Sequence, residues 1–100
     1  MILTVKDGYV DLSNSARFRK FLDKSNDRNI SSLILDLSHV TYLDSTGLGA
    51  LTNFHQTIQD KQSLAIVNCN DQLGTTLKVT KIDQVIPIFE TLEKAFAGLN

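Results

Sequence analysis

Asp44-Ser45-Thr46-Gly47-Leu48-Gly49 gathers more candidate chemistry than any other stretch of the chain. A carboxylate and a hydroxyl ahead of an apolar periodic run are the ingredients of a helix N-cap, so Asp44 and Ser45 are read as capping a helix. Its first turn then holds Thr46, Gly47 and Gly49, and glycines there let another backbone or a bulky group come close. Two hydroxyls are presented where free N–H groups point outward. A phosphate on Ser45 meets the positive end of the helix dipole while Asp44 repels it, so its effects on the chain's own fold nearly cancel. Its effect on a partner does not cancel, because charge and acceptor oxygens pushed into a packed apolar contact spoil both desolvation and fit. The bland alternative is a plain helix cap, the ordinary role of an Asp-Ser pair in this position.

Other chemistry-bearing residues favour structural roles. His55 lies ten residues past Ser45 on the same expected helix, which separates the pair by roughly 15 Å along its axis. It is read as a packed or surface histidine. His39 is read as a loop residue after a strand. Asp36 and Asp44 suggest a magnesium pair, but one ends a strand, the other starts a helix, and no third oxygen ligand is evident. Cys69 follows an apolar run and reads as a small packed thiol. Arg17, Arg19, Lys20, Lys24 and Arg28 against Asp23 and Asp27 leave the first helix region with excess positive charge, which reads as a solvated face. The chain lacks Gly-x-Ser-x-Gly and any Gly-rich phosphate loop ending in Lys-Ser or Lys-Thr. It is therefore expected to be no enzyme, to hydrolyse neither esters, phosphates nor nucleotides, and to carry no metal or cofactor.

The elements that must position the Asp44 segment follow from periodicity. Ile2 to Val5 and Tyr9 to Leu12 are strand-like around Asp7-Gly8, a dipeptide able to close a two-residue hairpin. Ser13-Asn14-Ser15 offers N-caps to a helix over about Ser15 to Asn26, with Phe18, Phe21 and Leu22 inward. Leu33 to Leu37 reads as a central strand buried on both faces. Leu48, Leu51, Phe54 and Ile58 mark a second helix ending near Gln59. Leu64 to Val67 is the next strand. Asp71 is the expected cap of a third helix facing inward through Leu73 and Leu77, and Val85 to Phe89 is the last strand, with Pro87 at a sheet edge or strand end. Thr91 caps a final helix that buries Leu92, Ala95 and Phe96. Alternating strands and helices predict an α/β layer fold.

With 100 residues the chain is read as one domain spanning 1–100, and burial of roughly 65% of its unfolded surface needs no disulfide or structural metal. Ten basic against eleven acidic residues give a net charge of −1, which provides no field for nucleic acid or an anionic membrane. The lone Cys69 excludes an intramolecular disulfide, and no signal-peptide core or membrane-length apolar run appears, so a cytoplasmic location is expected.

Leu43-Asp44-Ser45-Thr46-Gly47-Leu48-Gly49 resembles the signature of the STAS domain family, typified by bacterial anti-sigma factor antagonists. Gly8-Tyr9-Val10-Asp11 and Asn14 to Phe18 resemble the family's strand end and following helix start. Leu33 to Leu37 resembles its central strand, and Thr80-Lys81-Ile82-Asp83, Ile86-Pro87-Ile88-Phe89 and Leu92 to Ala95 resemble its tail. The resemblance implies a STAS fold, a mixed four- to five-stranded β-sheet with helices mainly on one face. It implies a regulatory phosphorylation site at Ser45, with Thr46 the second candidate, inside a partner-binding segment of Asp44, Ser45, Thr46, Gly47, Leu48 and Gly49. It also implies a cycle. The unmodified protein binds an anti-sigma factor, often itself a serine kinase of the histidine-kinase ATPase type, and phosphorylation by that kinase releases it. A PP2C-type phosphatase then restores it, while ATP and magnesium belong to the partner enzymes. The alternative within the family is a STAS subunit of a lipid-transport ABC complex, or the tail of an anion transporter, without obligatory phosphorylation. Two departures stand out. Only seven residues precede Gly8, so the first sheet edge is expected to be shortened or absent, and Lys81 stands where the family usually has the Gly that ends the third helix.

Overall fold

The computed structural model describes residues 1–27 and 29–99; Arg28, counted above in the basic excess, lies outside them. The chain runs β1 (Ile2–Thr4), β2 (Tyr9–Val10), α1 (Ser15–Asp23), β3 (Ser32–Asp36), β4 (Tyr42–Leu43), α2 (Ser45–Ile58), β5 (Ser63–Val67), α3 (Asp71–Val79), a 3-10 turn (Ile82–Gln84), β6 (Ile88–Phe89) and α4 (Leu92–Leu99).

The expected mixed sheet is corrected in one respect: every pairing is parallel. Four strands lie in the order β1-β3-β5-β6, and β2 and β4 form a separate two-stranded ribbon. Asp7-Gly8 therefore closes no hairpin, because β1 leaves to pair with β3 and β2 with β4. The first edge strand is present, but only three residues long.

Strand alternation assigns the two faces. Leu33, Leu35, Leu64 and Ile66 join a cluster with Phe18 and Leu22 of α1, Leu51, Phe54 and Ile58 of α2, and Leu73 and Leu77 of α3. Ile34 and Val67 point the other way, against Ala95 of α4. Helices thus cover mainly one face, and β3 and β5 are buried on both, as their continuous apolar runs require.

Local differences have identifiable causes. Helix α1 ends at Asp23, where the Ser25 N–H and hydroxyl turn back onto the Leu22 carbonyl at 3.0 and 2.6 Å. The cap of α3 is Asn70, whose Oδ1 accepts the Leu73 N–H at 2.7 Å, while Asp71 is already the first helical residue. Val85 to Pro87 are not strand. The N–H groups of Val85 and Ile86 fold back to the Ile82 carbonyl, and Pro87 has no N–H, so pairing starts at Ile88 on the far edge. In α4, Thr91 Oγ1 accepts the Lys94 N–H at 3.1 Å as expected, but of Leu92, Ala95 and Phe96 only Ala95 is buried deeply; Phe96 is 49% exposed. One helical step rotates it about 100° from Ala95, off the face that meets the sheet. Lys81 takes the left-handed conformation, φ 63°, in the place where glycine is the easier residue.

Candidate functional site

The β2–β4 ribbon delivers the Asp44 segment. The Asp44 N–H donates to the Val10 carbonyl at 3.0 Å, which ends the ribbon and points the chain into α2. Asp44 has extended backbone geometry, and its Oδ1 accepts the N–H groups of Thr46 at 2.9 Å and Gly47 at 3.0 Å. The same oxygen accepts the Thr46 hydroxyl. Asp44 is therefore the cap, and Ser45 is the first helical residue. These donors, the Thr46 hydroxyl foremost and then the Gly47 N–H, hold the Asp44 carboxyl below its ordinary value.

The two hydroxyls differ in circumstance. Thr46 is half-buried with its hydroxyl engaged by Asp44, whereas Ser45 is exposed. The two glycines differ as well. A Cβ on Gly47 would stand 3.0 Å from Val10 Cγ1 and 3.2 Å from the Val10 carbonyl oxygen, so the close approach inferred there is the packing of α2 onto β2. A Cβ on Gly49 would meet nothing within 4 Å. Leu48 is half-buried against the core, and its N–H donates to the Asp44 carbonyl at 2.9 Å. The segment thus presents an exposed hydroxyl and an open notch at a rigid helix start.

Asp36 ends β3 apart from this cluster. Burial raises its carboxyl, but the Ser38 N–H at 2.9 Å and the Asn68 amide at 3.1 Å outweigh burial and bring it below the ordinary value. His39 is an exposed residue of the turn after β3, as expected, and adds only a weaker pull on Asp36. Asp36 and Asp44 are each engaged by their own donors, and among the described residues no three metal-ligating side chains cluster. His55 sits near the far end of α2, lining a cleft with Gln59, Pro87 and Val85 rather than facing Ser45. Burial pushes the Cys69 thiol up to about 11, the behaviour of an unreactive packed thiol. Cys69 also lines a cleft of about 590 Å³ between α3 and β6, which none of the Asp44–Gly49 residues enters. On α1, Arg17 pairs with Asp7 at 3.1 Å and Arg19 with Asp23 at 2.9 Å, which neutralises part of the basic excess. Among the described residues no helix is long and apolar enough to cross a membrane.

Sequence reasoning missed Asn14 as a supporting residue. It stands at the cap position of α1 but does not cap it. Its Nδ2 donates to the Tyr9 carbonyl and its Oδ1 accepts the Asp11 N–H, both at 2.9 Å, which anchors the ribbon from below. The available signal was its amide in the polar run Ser13-Asn14-Ser15, a run that reads as a set of helix caps.

The STAS domain profile matches residues 1–95. The chain belongs to the STAS domain family. A similar relative is the anti-sigma-B factor antagonist of Listeria monocytogenes, 27% identical over 94 residues that cover 93% of this chain and 82% of the relative. Among solved structures, an anti-sigma factor antagonist from Mycobacterium paratuberculosis superposes with a TM-score of 0.86 at 21% identity, covering 97% of this STAS chain and 82% of the other. The murine solute carrier 26 family member A9 anion transporter superposes with a TM-score of 0.79 at 24% identity, covering 99% of this chain but 18% of the transporter. Both structural likenesses show the STAS fold.

Proposed function

We propose that this STAS protein is an anti-sigma factor antagonist controlled by phosphorylation of Ser45. Unmodified, it docks the start of α2, Asp44 to Gly49, onto an anti-sigma factor that is also a serine kinase of the histidine-kinase ATPase type. Phosphorylated, it is released, and a PP2C-type phosphatase resets it in the cytoplasm. The chain is substrate and docking surface; the ATP and magnesium chemistry is the partner's. The observation that carries this reading is the contrast between the exposed Ser45 hydroxyl and the Asp44-bound Thr46 hydroxyl at the same helix start. A kinase reaches the first more easily than the second. The names of relatives such as the Listeria antagonist support the partner class.

The physics of release is local. A phosphate on Ser45 sits beside Asp44, and burying unpaired charge at an interface costs roughly 2–5 kcal/mol, a loss of about 30-fold or more in affinity. The test is to incubate parent, Ser45→Ala and Thr46→Ala with the cognate ATPase-type kinase and labelled ATP and to map the product by mass spectrometry. Phosphate on Ser45 of the parent, lost in Ser45→Ala and kept in Thr46→Ala, is the expected pattern. Uptake at Thr46 in Ser45→Ala moves the site by one residue, and no uptake by the parent refutes the switch. The alternative reading is a non-phosphorylated STAS subunit of a lipid-transport ABC complex, for which a permease and an ATPase gene beside this one would speak.

A further inference from the structure

We propose that Tyr9, Tyr42 and Leu12 are the apolar anchors that hold the partner of the Ser45 site, and that this partner meets them with an uncharged, apolar pocket. The inference rests on the reading of Ser45 as a docking site and adds to it which side chains supply the affinity.

Tyr9 and Tyr42 stand directly opposite each other in the parallel register of β2 and β4, and each is 51% exposed. Their neighbours Val10 and Leu43, also paired, are buried. Alternation therefore places both rings on the same outer face, about 4.8 Å apart at the backbone and within reach of offset stacking. Leu12, two residues past the strand, is 79% exposed. An apolar side chain so open to water, three residues along the chain from Tyr9, adds to a paired aromatic face that marks an interaction surface.

The backbone carrying these residues is fixed before any partner arrives. Thr41 donates to the Gly8 carbonyl through both its N–H and its hydroxyl at 2.8 Å, Asn14 donates to the Tyr9 carbonyl, and Asp44 closes the ribbon onto Val10. Leu12 lies close to the same site, where its backbone adds a weak pull that helps lower the Asp44 carboxyl. Little backbone order remains to be lost on binding, which is what lets exposed aromatic rings act as anchors.

Area and continuity say what covers the patch. Three side chains at these exposures offer roughly 400 Å², about half of the ~800 Å² per partner that a stable interface needs. The adjoining surface is the start of α2, three residues on from Tyr42, where Ser45 is exposed and Gly49 leaves space. One partner covering both reaches the required area. The Ser45 hydroxyl is too small to supply the affinity that its phosphorylation must abolish, so the affinity has to come from neighbours close enough to be lifted away with it. Neither nearby carboxylate lacks hydrogen-bond donors of its own: Asp44 caps α2, and Asp11 accepts the Ser13 N–H at 2.8 Å. An apolar partner surface is the complement, and it is the surface on which a phosphate is least tolerated.

The test purifies the histidine-kinase-type ATPases of the source organism, takes as probe the one that binds the parent chain, and titrates it with Tyr9→Ala, Tyr42→Ala, Leu12→Ala, Tyr9→Phe and Ser45→Asp. Each Tyr→Ala variant is expected to lose about 30-fold or more in affinity, and Leu12→Ala about 5-fold. Tyr9→Phe should stay within about threefold, since the ring and not the hydroxyl is the anchor, and raising salt from about 0.05 to 0.5 M should change the parent's affinity by less than about threefold. Circular dichroism and urea midpoints of the exposed-site variants confirm that folding is intact. If both Tyr→Ala variants bind within threefold of the parent while Ser45→Asp is released, the anchor assignment is wrong and the docking site stands. If no ATPase binds the parent, or Ser45→Asp binds equally well, the docking reading fails and the anchors with it. If the chain alone dimerises in sedimentation and Tyr42→Ala abolishes the dimer, the face belongs to a second copy and the assignment is overturned.

Discussion

Ser45 and Thr46 differ by one methyl and one position, yet a single carboxylate sorts them. Asp44 Oδ1 takes the Thr46 hydroxyl into the cap and leaves Ser45 facing water. The same carboxylate has a consequence for pH. Asp44 and Asp36 are both held below the ordinary carboxyl value of 3.8, so their folded-state contribution is present above that pH and disappears as pH falls through the lower folded values. Urea midpoints of parent and Asp44→Asn should differ at about pH 7 and draw together as pH falls below 3.8, and a gap that stays constant through that fall would contradict the assignment. The two glycines give a sharper contrast. Gly47→Ala drives a methyl against Val10 and is expected to destabilise by about 1–2 kcal/mol, whereas Gly49→Ala gains about 0.5–1 kcal/mol of helix propensity with nothing to strike. If a partner closes over Gly49, Gly49→Ala also weakens binding, so stability and affinity move in opposite directions. Thermal melts beside calorimetry separate the two effects.

At the scale of elements, helices with a strong apolar period could be read closely from the sequence, and short strands could not. The start of α2 at Ser45 and its end near Ile58 follow from the cap and from Leu51, Phe54 and Ile58. Two-residue strands carry too few side chains to show which strand they pair with, so the pairing of β2 with β4 rather than β1 was invisible, and Val85 to Pro87 looked like strand until the 3-10 turn claimed the N–H groups of Val85 and Ile86. Caps were ambiguous wherever two short polar residues adjoin, as at Asn70-Asp71. Gln62 left no trace in the pattern, although its buried amide nitrogen reaches the carbonyls of Ser25, Asp27 and Ile30 at 2.8–3.1 Å and ties down the loop before β3. Lys81 was legible as the residue in a glycine position, and its left-handed backbone makes a prediction. Lys81→Gly relieves that conformation and should stabilise by about 0.5–1 kcal/mol, after the larger chain entropy of glycine is set against it. Equal or lower urea stability of the variant would show that the turn is unstrained.

For the whole molecule, a parallel sheet covered mainly on one side places the ribbon and the start of α2 together, with the His55 and Cys69 clefts elsewhere. In the proposed switch, binding and release are confined to one small, stiff surface, and the fold has no need to change shape for phosphorylation to act. Charge at Ser45 alone ends the complex in that proposed switch. Calorimetry of the cognate ATPase-type kinase with unmodified and stoichiometrically Ser45-phosphorylated chain tests it most directly. Phosphorylation is expected to lower affinity about 30-fold or more with unchanged circular dichroism of the free chain, and equal affinity for the two forms would overturn the switch.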